Sequence, residues 1–422
     1  MTEYRVKTIG RCEFNSPLPS ITFINEQHDR VRVDATVASG KEPESTPPSF
    51  EKAGPREKIF FNPKSCRLGI VTCGGLCPGL NDVIRAIVMV SWYRYGVRNI
   101  FGFRYGFQGI VQSSANDTLT LTPEIVEDIH QDGGTILGSS RGPQQVPEMV
   151  DFLADNRIDV LFTIGGDGTQ RGALAIAQEI AKRNLHIAVV GVPKTIDNDL
   201  SFTQRTFGFS TAVAASQAAI GGAHMEAKAV RNGIGLVKLM GRQSGFIAAY
   251  AALASSDVNL VLIPEAPFAI EKVMAYLAKR LERKSHAVIV AAEGAGQQYF
   301  KSAGTDLSGN KKLGNIGPFL RSAIIKHFAD TDIQVNVKYI APSYIIRSAP
   351  ANADDSVFCF QLAEMAVHAA MSGRTEMVIS NWNGHFVHVP GELMVKKRKN
   401  LDTSSLLWQS VLDNTGQPHN LS

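Results

Sequence analysis

Two stretches decide how this chain reads: Val160-Leu161-Phe162-Thr163-Ile164-Gly165-Gly166-Asp167-Gly168-Thr169 and Ile187-Ala188-Val189-Val190-Gly191-Val192-Pro193-Lys194-Thr195-Ile196-Asp197-Asn198-Asp199. Each opens on a continuous apolar run and closes on small residues, hydroxyls and carboxylates. Such a run predicts a strand buried on both faces, as in a parallel sheet, and not the alternating pattern of a sheet with one wet face. The polar closures then fall at the carboxyl ends of the strands, where open α/β sheets bind ligands. Together they supply glycine backbone for phosphates, one carboxylate suited to a metal and two suited to a hydroxyl. Phosphoryl transfer needs that inventory: positioning, charge neutralisation and a base.

The same strand–loop–helix rhythm extends outward from there. Further strands are expected over Leu68–Thr72, Ile100–Phe103, Ile234–Leu239, Val258–Ile263, Ala287–Ala292 and Val335–Ile340. Helices are expected over Leu80–Tyr93, Gln170–Arg183, Phe209–His224 and Ile270–Glu282. A doubly wound α/β architecture follows. Residues 1–62 differ. Ser39 to Pro55 is rich in Pro, Glu, Lys, Gly and Ser, yet Ile21–Ile24 and Ile59–Phe61 are apolar. An extended arm packed on a body or a neighbour fits this better than full disorder.

Composition bounds the partners. With 422 residues there is ample material for two or three domains, and 44% apolar and 19% charged residues describe an ordinary soluble protein. A net charge of +4 is too small to argue for nucleic acid. No apolar run is long enough to span a bilayer. Five cysteines, an odd number without dense spacing, argue against a disulfide scaffold and for a reducing compartment. Cys73 and Cys77 have no second Cys/His pair at matching spacing and read as ordinary thiols. Met1–Arg5 has no apolar signal region and the last residues are not Ser-Lys-Leu, so a cytoplasmic location is expected.

Other loops add anion-binding groups. Thr72–Asn81 is a Gly/Pro-rich strand-to-helix turn whose Gly74 and Gly75 allow close backbone approach. Taken alone it is equally a tight turn with no ligand. Gly133–Gly142 carries Arg141, a potential two-pronged phosphate clamp, though a plain surface loop competes with that reading. Asp197 and Asp199, for their part, could merely cap the next helix. Met240-Gly241-Arg242, Pro264-Glu265, Lys338 and Tyr344–Arg347 each end a strand or begin a turn with charge. Each is weak alone because strand-end charges are commonly solvated.

In order and spacing, these seven elements resemble the 6-phosphofructokinases, over roughly residues 60–400. The likeness is greatest to the ATP-dependent enzymes of trypanosomatids and plants, relatives of the pyrophosphate-dependent ones. It implies two Rossmann-like domains facing each other across a cleft, the phosphofructokinase fold, with an N-terminal arm at 1–62. By that likeness an ATP-binding domain takes 63–201 and 377–405, and a sugar-phosphate domain 202–376 and 406–422.

The resemblance also assigns roles. Asp197 is the base for the sugar 1-hydroxyl, with Thr195 and Asp199 positioning it. Arg141 and Lys194 stabilise charge on the transferring group, and Asp167 holds Mg²⁺. Gly74, Gly75, Gly166, Gly168 and Thr169 cradle ATP. Met240, Gly241, Arg242 and Glu265 line the site for fructose 6-phosphate, whose phosphate falls to Lys338, Tyr344 and Arg347. A homotetramer is implied as well. Tyr344 departs from the histidine of short bacterial enzymes, and their intersubunit arginine has only Arg231, beside Asn232-Gly233, as a counterpart. The donor signals are mixed. Lys194 accords with pyrophosphate enzymes, whereas Gly168 stands where those carry aspartate. A carboxylate there would repel the α-phosphate of ATP, so Gly168 favours ATP. Two other readings compete: an NAD or lipid kinase sharing Gly165–Thr169, which leaves Pro193–Asp199 unexplained, and a non-catalytic sugar-phosphate sensor, which would have no need of Asp167 and Asp197.

Overall fold

The computed structural model describes residues 4–18, 23–26, 28–36, 47–111, 118–301, 304–305 and 311–422. The chain forms two compact units. The first runs up to Thr195 and resumes over Leu200–Gly208 and Ser348–Arg398. The second comprises Ile196–Asp199, Phe209–Arg347 and Lys399–Ser422. The sequence-based boundaries stand near 202, 377 and 406. By contacts the chain crosses after Thr195, Asp199, Gly208, Arg347 and Arg398, and the helix Ala353–Met371 falls to the first unit because it packs against Leu80–Val90 there.

The first unit is built on a nine-stranded sheet. Its middle is five parallel strands: Asn99–Phe103, Arg67–Thr72, Val160–Gly165, Ala188–Pro193 and Met377–Trp382. Every residue of Val160–Gly165 and of Ala188–Pro193 is buried, as their unbroken apolar runs require. Register sets the functional geometry. Pro193 lies opposite Gly165 and Thr72 opposite Ile164, so three strands end nearly level and their loops emerge together. Gln170 fastens two of them, donating to the carbonyls of Gly165 at 2.9 Å and Val192 at 3.2 Å. The expected helix over Leu80–Tyr93 is α-helical to Val90 and then widens into a π-turn over Ser91–Tyr95 before Gly96 takes a left-handed φ of 77°.

Antiparallel strands finish both edges of this sheet. Thr118–Thr120 pairs with Asn99–Phe103. At the other edge His385–Pro390 hairpins back from Met377–Trp382 and receives Ser49–Lys52, which in turn pairs with Arg30–Arg32. The described part of the arm is thus woven into its own unit. Phe50, fully buried, packs with Val31, Val387, Val389 and Leu393. Glu51 beside it accepts from Arg56 Nη2 at 2.6 Å and from Arg374 Nη2 at 2.9 Å. Burial opposes ionisation of Glu51, but His388 and the two guanidiniums outweigh it and hold the carboxyl well below its ordinary range. Ile21 and Thr22 of the expected apolar island lie outside the described residues.

The second unit carries four parallel strands in the order Leu260–Leu262, His286–Ala292, Gly233–Leu239, Asn336–Ile340. Phe209–Lys228, Phe246–Ser255, Ile270–Lys284 and Ile316–Ala329 are its main helices. One face buries Val273, Leu277 and Leu281 of the amphipathic helix Ile270–Lys284 against Leu236, Ile289 and Leu320. The strand expected over Val258–Ile263 is regular only at Leu260–Leu262. This is the doubly wound α/β fold the apolar runs predict, with mostly parallel sheets.

Candidate active site

In the first unit, a glycine turn, two cations and one carboxylate meet at the carboxyl ends of the level strands. Gly74 has φ 89°, open to glycine at little cost. Its N–H donates to the Ser140 carbonyl at 3.1 Å, and the Ser139 hydroxyl donates to the Gly74 carbonyl at 2.6 Å. These bonds bring the Arg141 loop onto the glycine turn. A Cβ on Gly75 would stand 3.1 Å from Arg141 Nη2, and one on Gly74 would stand 3.3 Å from Lys194 Nζ. Lys194 itself donates to the Gly75 carbonyl at 2.8 Å. A side chain at either glycine would crowd the two cations.

The helix expected to begin at Gln170 begins at Asp167, so Asp167, Gly168 and Thr169 form its first turn. Their N–H groups are the unsatisfied donors of a sixteen-residue helix and carry its positive end. Arg171 Nη1 and Arg398 Nη2 both bond Asp167 Oδ2, the latter at 2.9 Å. Gly168 borders open space: its Cβ would meet nothing nearer than Arg171 Nη2 at 4.0 Å. Gly166 faces the Lys194 carbonyl, 3.2 Å from a Cβ placed there. Thr195 ends the group, its carbonyl accepting from the Thr206 hydroxyl at 2.6 Å.

In the second unit, Asp197 and Asp199 flank Asn198, which takes a left-handed φ of 55°. The Arg242 N–H donates to Asp197 Oδ2 at 3.2 Å, and the Ser244 hydroxyl donates to the Asp197 carbonyl at 3.1 Å. Burial first, then the Asp199 and Glu293 carboxylates, push the Asp197 carboxyl up to about 7, against the pull of Arg242 N–H and Arg347. Arg347 lies 3.9 Å from Glu293. Gly241 has φ 118° and accepts from the Gly294 N–H at 3.0 Å, and Met240 before it is fully buried. The Arg242 guanidinium bonds the Lys311 carbonyl. Glu265 Oε1 accepts from the N–H groups of Gly245 at 3.0 Å and Leu401 at 2.7 Å, while burial raises its pKa.

The second unit therefore gathers Asp197, Asp199, Met240, Gly241, Arg242 and Arg347. Lys338 instead reaches Glu226, at 4.0 Å, and Tyr344 is 83% exposed. Arg231 is exposed just before Asn232, whose φ is 56°.

Four participants escape the motif reading: Glu293, Arg171, Arg398 and Lys399. Glu293 follows its strand as Glu265 follows another, so the same strand-end rule finds it. Arg398 and Lys399 close the basic run Lys396-Lys397-Arg398-Lys399, whose bland reading is a solvated face. Lys399 is partly buried. Its N–H donates to the Asp199 carbonyl at 2.9 Å and its ammonium stands 5.1 Å from the Phe246 ring centre. Burial lowers its pKa to about 8, against the Asp199 carboxylate.

Among the described residues no three His, Cys, Asp or Glu side chains gather as a metal set. Mg²⁺ is commonly held by one or two carboxylates plus substrate phosphates, and Asp167 fits that mode. Both arginines bind its Oδ2, and a carboxylate at a helix start beside a glycine turn is the kind of donor that Mg²⁺ shares with substrate phosphates. No helix among the described residues is long and apolar enough to cross a membrane.

Glycine backbone, paired cations and a helix start in one unit, with a buried carboxylate among like charges in the other, are the parts of a phosphotransferase. The family model described as phosphofructokinase matches residues 67–370, and the chain belongs to that family. The ATP-dependent 6-phosphofructokinase of Borreliella burgdorferi is 49% identical over 434 residues, covering 99% of this chain and 97% of that one. That of Trypanosoma brucei brucei is 47% identical over 414 residues, 97% of this chain and 84% of its own. The Arabidopsis thaliana ATP-dependent 6-phosphofructokinase 7 is 46% identical over 376 residues, 87% and 77% of the two chains. The trypanosomatid and plant likeness drawn from the motifs therefore holds. A solved pyrophosphate-dependent phosphofructokinase from Marinobacter aquaeolei superposes with a TM-score of 0.69 over 83% of this chain and 91% of that one. At 18% identity it speaks for the fold alone.

Proposed function

We infer that this chain transfers the γ-phosphoryl group of ATP to the 1-hydroxyl of fructose 6-phosphate, giving fructose 1,6-bisphosphate and ADP, a glycolytic step. The sugar O1 attacks the γ-phosphorus, the bond to the β–γ bridging oxygen breaks, and the hydroxyl proton passes to Asp197. One observation carries this assignment. Asp197 is a carboxylate whose surroundings bring its pKa to about 7, near the value at which a base is both available and strong enough at neutral pH. Burial first, and then the neighbouring Asp199 and Glu293, raise that pKa, and the Arg242 N–H keeps Oδ2 oriented.

Donor phosphates belong to Gly74, Gly75, Arg141, Lys194 and the helix start at Gly166–Thr169. Asp167 is the residue to hold Mg²⁺, which when bound neutralises phosphate charge. Acceptor contacts belong to Thr195, Asp199, Met240, Gly241, Arg242 and Glu265, with Arg347 for the 6-phosphate. Lys338 and Tyr344 are proposed to join Arg347 once sugar phosphate is bound. A homotetramer and a cytoplasmic location complete the reading; exposed Tyr344 and Arg231 are then available to a neighbouring subunit.

Pyrophosphate is the competing donor, and Lys194 beside the glycine turn would serve it equally well. Gly168 favours ATP because it puts no side-chain carboxylate where an α-phosphate would come, and a Cβ there would meet nothing nearer than Arg171 Nη2 at 4.0 Å. Initial rates with fructose 6-phosphate, Mg²⁺ and ATP, GTP or pyrophosphate test the assignment. Turnover with ATP and little with pyrophosphate is expected, and a preference for pyrophosphate would reverse the donor.

A further inference from the structure

Arg398 stands outside every motif, yet it binds the carboxylate assigned to the metal. Its Nη2 lies 2.9 Å from Asp167 Oδ2, and its side chain is 24% exposed. The position is fixed by backbone, not by chance contact of a long side chain: Arg398 bridges antiparallel to Leu200, the residue after the Asp197–Asp199 motif. Arg171, on the same Oδ2, is different in kind. It is half-exposed and one turn along the helix from Asp167, a surface i,i+4 pair of small energetic worth.

A divalent cation would compete with the two guanidiniums for this carboxylate oxygen. A divalent cation at Asp167 would face their positive charge at close range. A phosphate chain brought with the metal supplies new negative charge, and a guanidinium binds phosphate as readily as carboxylate, with the same two-pronged geometry.

We propose that Arg398 is an exchanging counter-ion: it holds Asp167 in the nucleotide-free protein and moves to the donor phosphates when the metal–nucleotide complex binds. The proposal rests on the ATP-dependent reading above. It makes Arg398 a competitor of the bare metal and a ligand of the metal–nucleotide complex, two roles of opposite sign.

Mn²⁺ binding followed by electron paramagnetic resonance separates them in the full-length protein. Arg398→Ala should bind Mn²⁺ alone about 2–5-fold more tightly, the scale of a partly exposed ion pair removed. The same variant should bind Mn²⁺ with ADP about 10–100-fold more weakly, the scale of a lost charged hydrogen bond. Arg398→Lys keeps the charge without the fork and should move both affinities in the same senses by less; it reads the proposal if the alanine variant does not fold. Arg171→Ala should tighten Mn²⁺ alone and leave Mn²⁺–ADP within about 2-fold. Affinities that fall together, or that do not move, overturn the exchange and leave Arg398 a structural brace. Native protein that binds Mn²⁺–pyrophosphate but not Mn²⁺–ADP overturns the ATP reading instead, and the opposite-sign shift is then read with pyrophosphate.

Discussion

Asp167 and Asp197 close successive βα units of the same chain, and their surroundings have made them opposites. Asp167 opens a helix, at the end where partial positive charge favours a carboxylate, and two guanidiniums clasp its Oδ2. Asp197 is drawn into burial with Asp199 and Glu293 close by, and its carboxyl is pushed up to about 7. The first environment suits a group that exchanges one cation for another. The second suits a group that must accept a proton near neutrality. Neighbours, not residue type, set apart the roles proposed for the two aspartates.

The comparison breaks most decisively at Asp197. Asp197→Ser should lower kcat by about 1,000-fold or more, with the KM for fructose 6-phosphate changed only a few-fold, because the lost proton acceptor acts mainly in the transition state. Steady-state kinetics decide it: a near-native kcat would remove Asp197 from the role of base. Asp167→Ala comes next. Its kcat/KM for ATP at ordinary Mg²⁺ should fall about 100–1,000-fold, on the scale of losing one electrostatic stabiliser of the transferring group. Full turnover by that variant would take the metal away from Asp167.

Gly168→Asp sharpens the contrast by putting a second carboxylate next to the first. The added side chain meets open space, so melting temperature should stay within a degree or two of native. Use of ATP should nevertheless fall about 10–100-fold in kcat/KM from charge beside the α-phosphate, while fructose 6-phosphate binding persists. An equal loss with pyrophosphate would mean that the donor signal does not reside there.

The smallest effect is in stability and follows from the sign of the Asp197 shift. The folded state holds this proton more tightly than the unfolded chain, so stability falls as pH rises through the window from about 4 to about 7 and stays lower above it. Asp197→Asn removes that penalty. It should melt higher than native at pH 8, by about 2–4 °C for each kcal/mol released, with the gain vanishing toward pH 4. Calorimetry at the two pH values checks it; a gain independent of pH would mean that the carboxyl is not titrating. In the native enzyme, kcat/KM should rise with pH along a limb near 7.

Much of the fold was legible because buried parallel strands write themselves as unbroken apolar runs. Val160–Gly165, Ala188–Pro193 and His286–Ala292 fall within a residue or two of where those runs put them. The edge of the first sheet was not legible. Ser49–Lys52 is four residues of mixed character inside a Pro- and Glu-rich stretch, and its pairing with His385–Pro390 and Arg30–Arg32 makes it a strand. The buried Glu51 among Arg56, Arg374 and His388 has little local signature, since two of these three partners, Arg374 and His388, come from a distant part of the chain.

The sequence by itself determined the parallel α/β class, the glycine turns and the placement of hydroxyls and carboxylates at strand ends. Each of these depends on residues near one another in the chain: periodicity, the conformational freedom of glycine, the abrupt end of an apolar run. Only the tertiary structure decided which charges meet. Pro193 opposite Gly165 levels two loops, Arg398 arrives from the far end of the chain at Asp167, and Lys399 arrives beside Asp199. Electrostatic interaction depends on distance through space and on exclusion of water, neither of which is written in any local stretch of residues, so the arginines on Asp167 and the burial that raises the Asp197 pKa had to await the fold.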